Sequence, residues 1–74
     1  MEQTLRNIVA KIAEVPPDFA ADASFREQLN VDSVRALEIV FEIEKTLAIT
    51  VPEDRYDQVK TLNDLVSLVA SIKR

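Results

Sequence analysis

The chain has no cysteine, no histidine and no glycine. Without the first two there is no disulfide, no thiolate nucleophile, no imidazole acid or base, and almost no route to a zinc site. Without glycine, the phosphate-cradling turns of P-loop and dinucleotide-binding proteins are excluded, because they need positive φ and close backbone approach. Hydroxyls, carboxylates and amines are what remain for chemistry. They do not assemble into a catalytic constellation, so an enzyme acting alone is the least favoured class, and no metal site is expected. Long apolar runs are also missing, which excludes membrane insertion by a spanning helix. The start, Met1-Glu2-Gln3-Thr4, lacks the basic and apolar blocks of a secretion signal and points to the cytoplasm, or to an organelle matrix after processing.

At 74 residues the chain has room for one domain, spanning 1–74, and for no second substrate domain. Its 47% hydrophobic content is too high for disorder. The net charge of -4 is unevenly placed. Residues 22–57 hold nine acids against four bases, whereas residues 58–74 hold one acid against three bases. An acidic middle repels nucleic-acid backbones and favours partners with basic surfaces.

Leu5, Ile8, Val9 and Ile12 recur at helical spacing and predict an amphipathic helix over 3–15, stopped by Pro16-Pro17. From Asp18 to Val31 the periodicity is mixed, as in a long connection pinned by Phe19, Phe25 and Leu29. Ser24-Phe25-Arg26-Glu27 has the form of a capping box and predicts a short turn. Leu37, Val40, Phe41, Ile43 and Leu47 make a broad helical stripe over 34–47, with Arg35, Glu38, Glu42 and Lys45 opposite it. Ile49-Thr50-Val51 reads as a short extended stretch closed by Pro52, and 53–59 has room only for a short third helix or turn. A second capping box, Thr61-Leu62-Asn63-Asp64, opens a last helix with Leu62, Leu65, Val66, Val69 and Ile72 on its apolar face. The result is an all-α bundle of three long helices and one short one.

Chemistry and sequence meet most sharply at Leu29-Asn30-Val31-Asp32-Ser33-Val34, a loop that delivers a serine to the first turn of the second helix. Taken alone, Asp32 or Ser33 reads as a helix cap. In their surroundings these residues say more. Asp22-Ala23-Ser24-Phe25, then Leu29 to Val34, then Glu38-Ile39, Glu44 and Leu47-Ala48-Ile49-Thr50-Val51-Pro52 resemble acyl carrier proteins in order and spacing. The likeness runs through Lys60-Thr61 into the last helix and covers about two thirds of the chain.

The resemblance implies an acyl-carrier-like four-helix bundle with a long first loop. It further implies that Ser33 is converted to a holo form with 4'-phosphopantetheine from coenzyme A, and that Asp32 helps dock the phosphopantetheinyl transferase. The thiol of the arm would carry acyl groups as thioesters, which explains how a cysteine-free protein could handle them. The sequence offers no base to activate Ser33, so that task falls to the transferase. Val34, Arg35, Glu38, Glu42 and Lys45 become the partner-docking residues. Leu37, Val40, Phe41 and Leu47 read as core first and, by resemblance, as lining of an acyl cavity.

Expected partners are the transferase and acyl-loading and acyl-consuming enzymes with basic docking surfaces, acting on a monomer in a fatty-acid, polyketide or related lipid pathway. An aminoacyl or peptidyl carrier, and an unmodified docking module in which Ser33 only caps a helix, stay open. Three positions depart from the family pattern. Asn30 stands where glycine is usual and tolerates a left-handed backbone better than most residues. Val34 replaces leucine after the serine, and Arg35 stands where an acid is common.

Overall fold

The computed structural model describes residues 1–73. Helix α1 spans Glu2–Ala13, α2 Ser33–Leu47 and α3 Leu62–Ile72, with a 3-10 helix at Glu53–Gln58 between the last two. There is no strand among the described residues. The expected all-α architecture, three long helices plus a short third and a long first loop, is the one observed.

Helix α1 ends earlier than its pattern suggests. Val15 precedes Pro16, and a residue before proline is disfavoured in the α region. The turn is therefore closed upstream, by Glu14 at φ 59 and ψ 47, whose N–H bonds to the Ala10 carbonyl. The Val15 N–H reaches the same carbonyl at 3.0 Å. Helix α2 ends the same way, on Ala48 at φ 55. With no glycine available, residues bearing a Cβ take these left-handed caps.

The loop from 14 to 32 is held at both ends. Arg6 of α1 donates to the Pro17 carbonyl at 2.8 Å and to the Phe19 carbonyl, and its guanidinium lies 4.9 Å from the Phe19 ring centre. Phe25 and Leu29 are buried, as expected of anchors. Backbone bonds from Phe25 N–H to Lys60 O (2.9 Å) and from Asn63 N–H to Ala21 O (3.0 Å) tie the loop to the start of α3.

Both capping boxes form with a shifted partner. Ser24 Oγ accepts from the Glu27 N–H at 3.2 Å, but the side chain reaching back is Gln28, which accepts from the Ser24 N–H at 2.7 Å. Thr61 Oγ1 accepts from the Asp64 N–H, and Asp64 reaches past Thr61 to the Lys60 N–H, both at 3.1 Å.

The main core joins Leu5 and Val9 of α1, Ile39 and Ile43 of α2, Leu62, Leu65 and Val69 of α3, and Phe25, Leu29 and Val31 of the loop. A smaller cluster of Val40, Val51 and Leu68 lies beneath Tyr56 of the 3-10 helix. At the turn into that helix, the Glu44 carboxylate accepts the Val51 N–H at 2.8 Å and fixes the exit from α2.

The α2 stripe is the main correction. Leu37 and Phe41, read as core, are 40% and 55% exposed, while Ile39 is buried. At about 100° per residue, Ala36, Ile39, Val40, Ile43 and Leu47 share one sector, and Val34, Leu37 and Phe41 share another on the far side. Only the first sector faces α1 and α3.

Candidate functional site

The start of α2 is built around Asp32. Its backbone is extended (φ -85, ψ -177), and its Oδ1 accepts from the Arg35 N–H at 2.9 Å, while its carbonyl accepts from the Ala36 N–H at 2.9 Å. The Ala36 bond is the first of the helix, and the side chain satisfies one of the orphan N–H groups before it, leaving those of Ser33 and Val34 without intrahelical acceptors. Asp32 therefore does the capping. Ser33 is the first residue of the helix proper, solvent-exposed, with its hydroxyl not spent on the cap.

The turn that delivers Asp32 depends on Asn30, which adopts φ 57. This is the left-handed conformation for which asparagine is better suited than most residues other than glycine. Buried Leu29 and Val31 flank it, and the Val31 N–H bonds to the Phe25 carbonyl at 2.8 Å. The loop thus holds Asp32 and Ser33 outward by burying their neighbours.

An open cleft of about 990 Å³ runs from Ser33 along the inner edge of α2 toward the 3-10 helix. Its apolar wall includes Ala36, Leu37, Ile39, Val40 and Val59, and its polar rim includes Arg26, Tyr56 and Lys60. Of the four residues expected around a cavity, Leu37 and Val40 line this cleft. Phe41 and Leu47 do not: Phe41 points to solvent, and Leu47 packs against the main core. Tyr56 is a cleft residue that sequence reasoning missed, and only its aromatic character within an otherwise polar segment marks it. Burial, and then the carboxylates of Glu44 and Glu53, push its hydroxyl above the ordinary tyrosine pKa.

On the outer side of α2, Val34, Leu37 and Phe41 form an apolar ridge next to Ser33, with Val34 66% exposed. Glu38 and Lys45 are exposed and Glu42 half-buried along the same helix. Arg35 is paired with another element: its Nη2 lies 3.0 Å from Glu14 Oε2 beyond the end of α1. The structure thus gathers Asp32, Ser33, Val34, Glu38, Glu42 and Lys45 along one helix and adds Leu37 and Phe41 to their surface. Among the described residues, no helix is long and apolar enough to cross a membrane, and no group of His, Cys, Asp and Glu could hold a metal ion.

Comparison with known proteins agrees with this geometry. The family model described as "Phosphopantetheine attachment site" matches residues 3–69. An acyl carrier protein of Exiguobacterium sibiricum is 31% identical over 62 residues, covering 84% of this chain and 78% of that one. One of Treponema pallidum is 32% identical over 68 residues, covering 90% and 87%. A solved Mycobacterium tuberculosis chain assigned as an acyl carrier protein superposes with a TM-score of 0.88 over 95% of each chain, at 20% identity, a likeness of fold. The chain belongs to the phosphopantetheine-attachment family of acyl carrier proteins.

Proposed function

We propose that residues 1–74 act as one acyl carrier unit in which Ser33 is the attachment point for 4'-phosphopantetheine. The observation that carries this reading is the division of labour at the start of α2. Asp32 supplies the cap, and Ser33, the residue after it, is exposed at the head of the cleft. In the modification, the Ser33 hydroxyl oxygen displaces 3',5'-ADP from the phosphorus of coenzyme A, and its proton passes to a base of the transferase. The free N–H groups of Ser33 and Val34 favour the resulting phosphodiester, while the Asp32 carboxylate opposes it and serves instead to dock the transferase.

The residues present suit the group. Its amide and alkyl portions match a cleft with Ala36, Leu37 and Val40 on one wall and Tyr56 and Lys60 on the rim. When attached, the group supplies a terminal thiol that carries acyl intermediates as thioesters between enzymes of a fatty-acid, polyketide or related lipid pathway.

Partners dock on the outer face of α2. The apolar ridge of Val34, Leu37 and Phe41 is the centre of that contact, and Glu38, Glu42 and Lys45 form its polar rim. The partner that fits is an enzyme with an apolar recess bordered by basic residues. The chain is a substrate of such enzymes and performs no catalysis itself.

The test is intact mass after incubation with coenzyme A, magnesium and a broad-specificity phosphopantetheinyl transferase, beside Ser33→Ala. A gain of one phosphopantetheine on the parent alone is expected. No gain on a folded parent, with several transferases, would overturn the proposal.

A further inference from the structure

We infer that Glu14 sets the charge of the docking face by pairing with Arg35 and masking its charge, an inference that rests on the function proposed above. Taken by themselves, the charged side chains of the α2 face, Arg35, Glu38, Glu42 and Lys45, sum to zero. A neutral face gives a basic partner nothing to steer toward. The structure changes that sum through a residue from another element.

Glu14 lies 21 positions before Arg35, just beyond α1, in the left-handed conformation that ends that helix. Its Oε2 accepts a hydrogen bond from Arg35 Nη2 at 3.0 Å. Of the two side chains the cation is the more covered, 37% exposed against 74% for the carboxylate. A guanidinium in a charge-assisted bond of this length is oriented as well as neutralised. With Arg35 so held, Glu38 and Glu42 outweigh Lys45, and the ridge of Val34, Leu37 and Phe41 carries an acidic border.

Glu14 is thus a specificity-determining residue that lies outside the docking helix. Arg35, the departure that looked least suited to a basic partner, is masked in cis. Removing Glu14 frees a cation two residues from Ser33 and repels that partner. Removing Arg35 as well makes the mask unnecessary, so the second substitution should rescue the first.

Affinity for the broad-specificity transferase, measured in a Ser33→Ala background that cannot be modified, tests this independently of attachment. Mass gain on the parent reports on attachment separately. Glu14→Gln is expected to weaken binding at low salt by roughly two- to fivefold, the range an exposed ion pair spans. Glu14→Gln with Arg35→Gln should return affinity to the parent value. The gap between parent and Glu14→Gln should close at about 1 M salt, where the Debye length is about 3 Å. Equal affinity of parent and Glu14→Gln, stronger binding by Glu14→Gln, or no binding at all would overturn the inference. So would a loss that persists in the Arg35→Gln background, since it would mean that Glu14 touches the partner directly.

Discussion

Replacing Asp32 in two different ways separates its structural role from its proposed docking role. The side-chain oxygen that accepts the Arg35 N–H at 2.9 Å is absent in Asp32→Ala, whereas the amide oxygen of Asp32→Asn can take its place. Losing a side-chain cap costs about 1 kcal/mol, within a range of roughly 0.5–2. For a domain of this size each kcal/mol lowers Tm by about 4–8 °C. Asparagine caps about as well as aspartate, so Asp32→Asn forgoes only the attraction of a full charge to the helix N-terminus, about 0.3–1 kcal/mol when exposed. Melting followed by far-ultraviolet circular dichroism should therefore rank the parent first, Asp32→Asn slightly below it and Asp32→Ala last.

Modification should rank them differently. If the charge of Asp32 docks the transferase, both variants lose rate together, by roughly fivefold, the order one exposed charge pair contributes. A time course of intact mass measures this at a temperature where all three are folded. Asp32→Ala as stable as the parent would refute the capping argument. Asp32→Asn modified as fast as the parent would refute the docking role and leave Asp32 as a cap alone.

Three further outcomes follow from the packing and the electrostatics. Ala48→Gly should stabilise the bundle by about 0.5–1 kcal/mol, because a Cβ at φ 55 is strained and the strain exceeds the entropy glycine adds to the unfolded chain; an unchanged or lower urea midpoint would show the cap to be unstrained. Ile43→Ala, at a fully buried site, should cost about 2–5 kcal/mol, whereas Phe41→Ala should change stability by less than about 0.5 kcal/mol. Equal losses in urea titration would place Phe41 in the core after all. The Tyr56 hydroxyl should ionise above the ordinary value near pH 10, in absorbance titration of the only tyrosine. Since its folded pKa is raised, the linked stability is complete below the unfolded pKa and falls as pH rises through the folded one; stability rising over that alkaline range would contradict the raised value.

The long helices were legible because their apolar residues recur with the helical period and their ends carry recognisable chemistry. Leu5, Ile8 and Val9 are buried as read, and Asp32, Thr61 and Ser24 all accept the backbone bonds their positions suggest. Asn30 was legible through the resemblance, which puts glycine at that position: asparagine tolerates the left-handed backbone that a glycine there implies better than most residues. The phase of α2 was not read correctly. That helix has apolar residues around most of its circumference, so two sectors compete for the core, and periodicity alone does not choose between them. Glu44 carried the missing signal. On a helical wheel it falls between Val40 and Leu37, which separates the Leu37–Phe41 side from the side of Ile39 and Ile43.

That misreading bears on function. A helix with one apolar sector spends it on the core and offers partners only charge. Helix α2 has a second sector, and its position beside Ser33 puts three exposed apolar side chains next to the hydroxyl proposed for modification. Exposed, they add little to the fold, which is what the docking role proposed for them requires. In the proposed docking, the charged residues around the ridge would steer encounter and select among partners, while desolvation of Phe41 and Leu37 would supply most of the contact energy. On this account Phe41→Ala should slow transfer to or from the carrier at any salt concentration, whereas substitutions at Glu38 and Glu42 should matter chiefly at low salt. A transfer rate measured across a salt series distinguishes the two contributions, and a Phe41→Ala loss that vanished at high salt would contradict the apolar role assigned to the ridge.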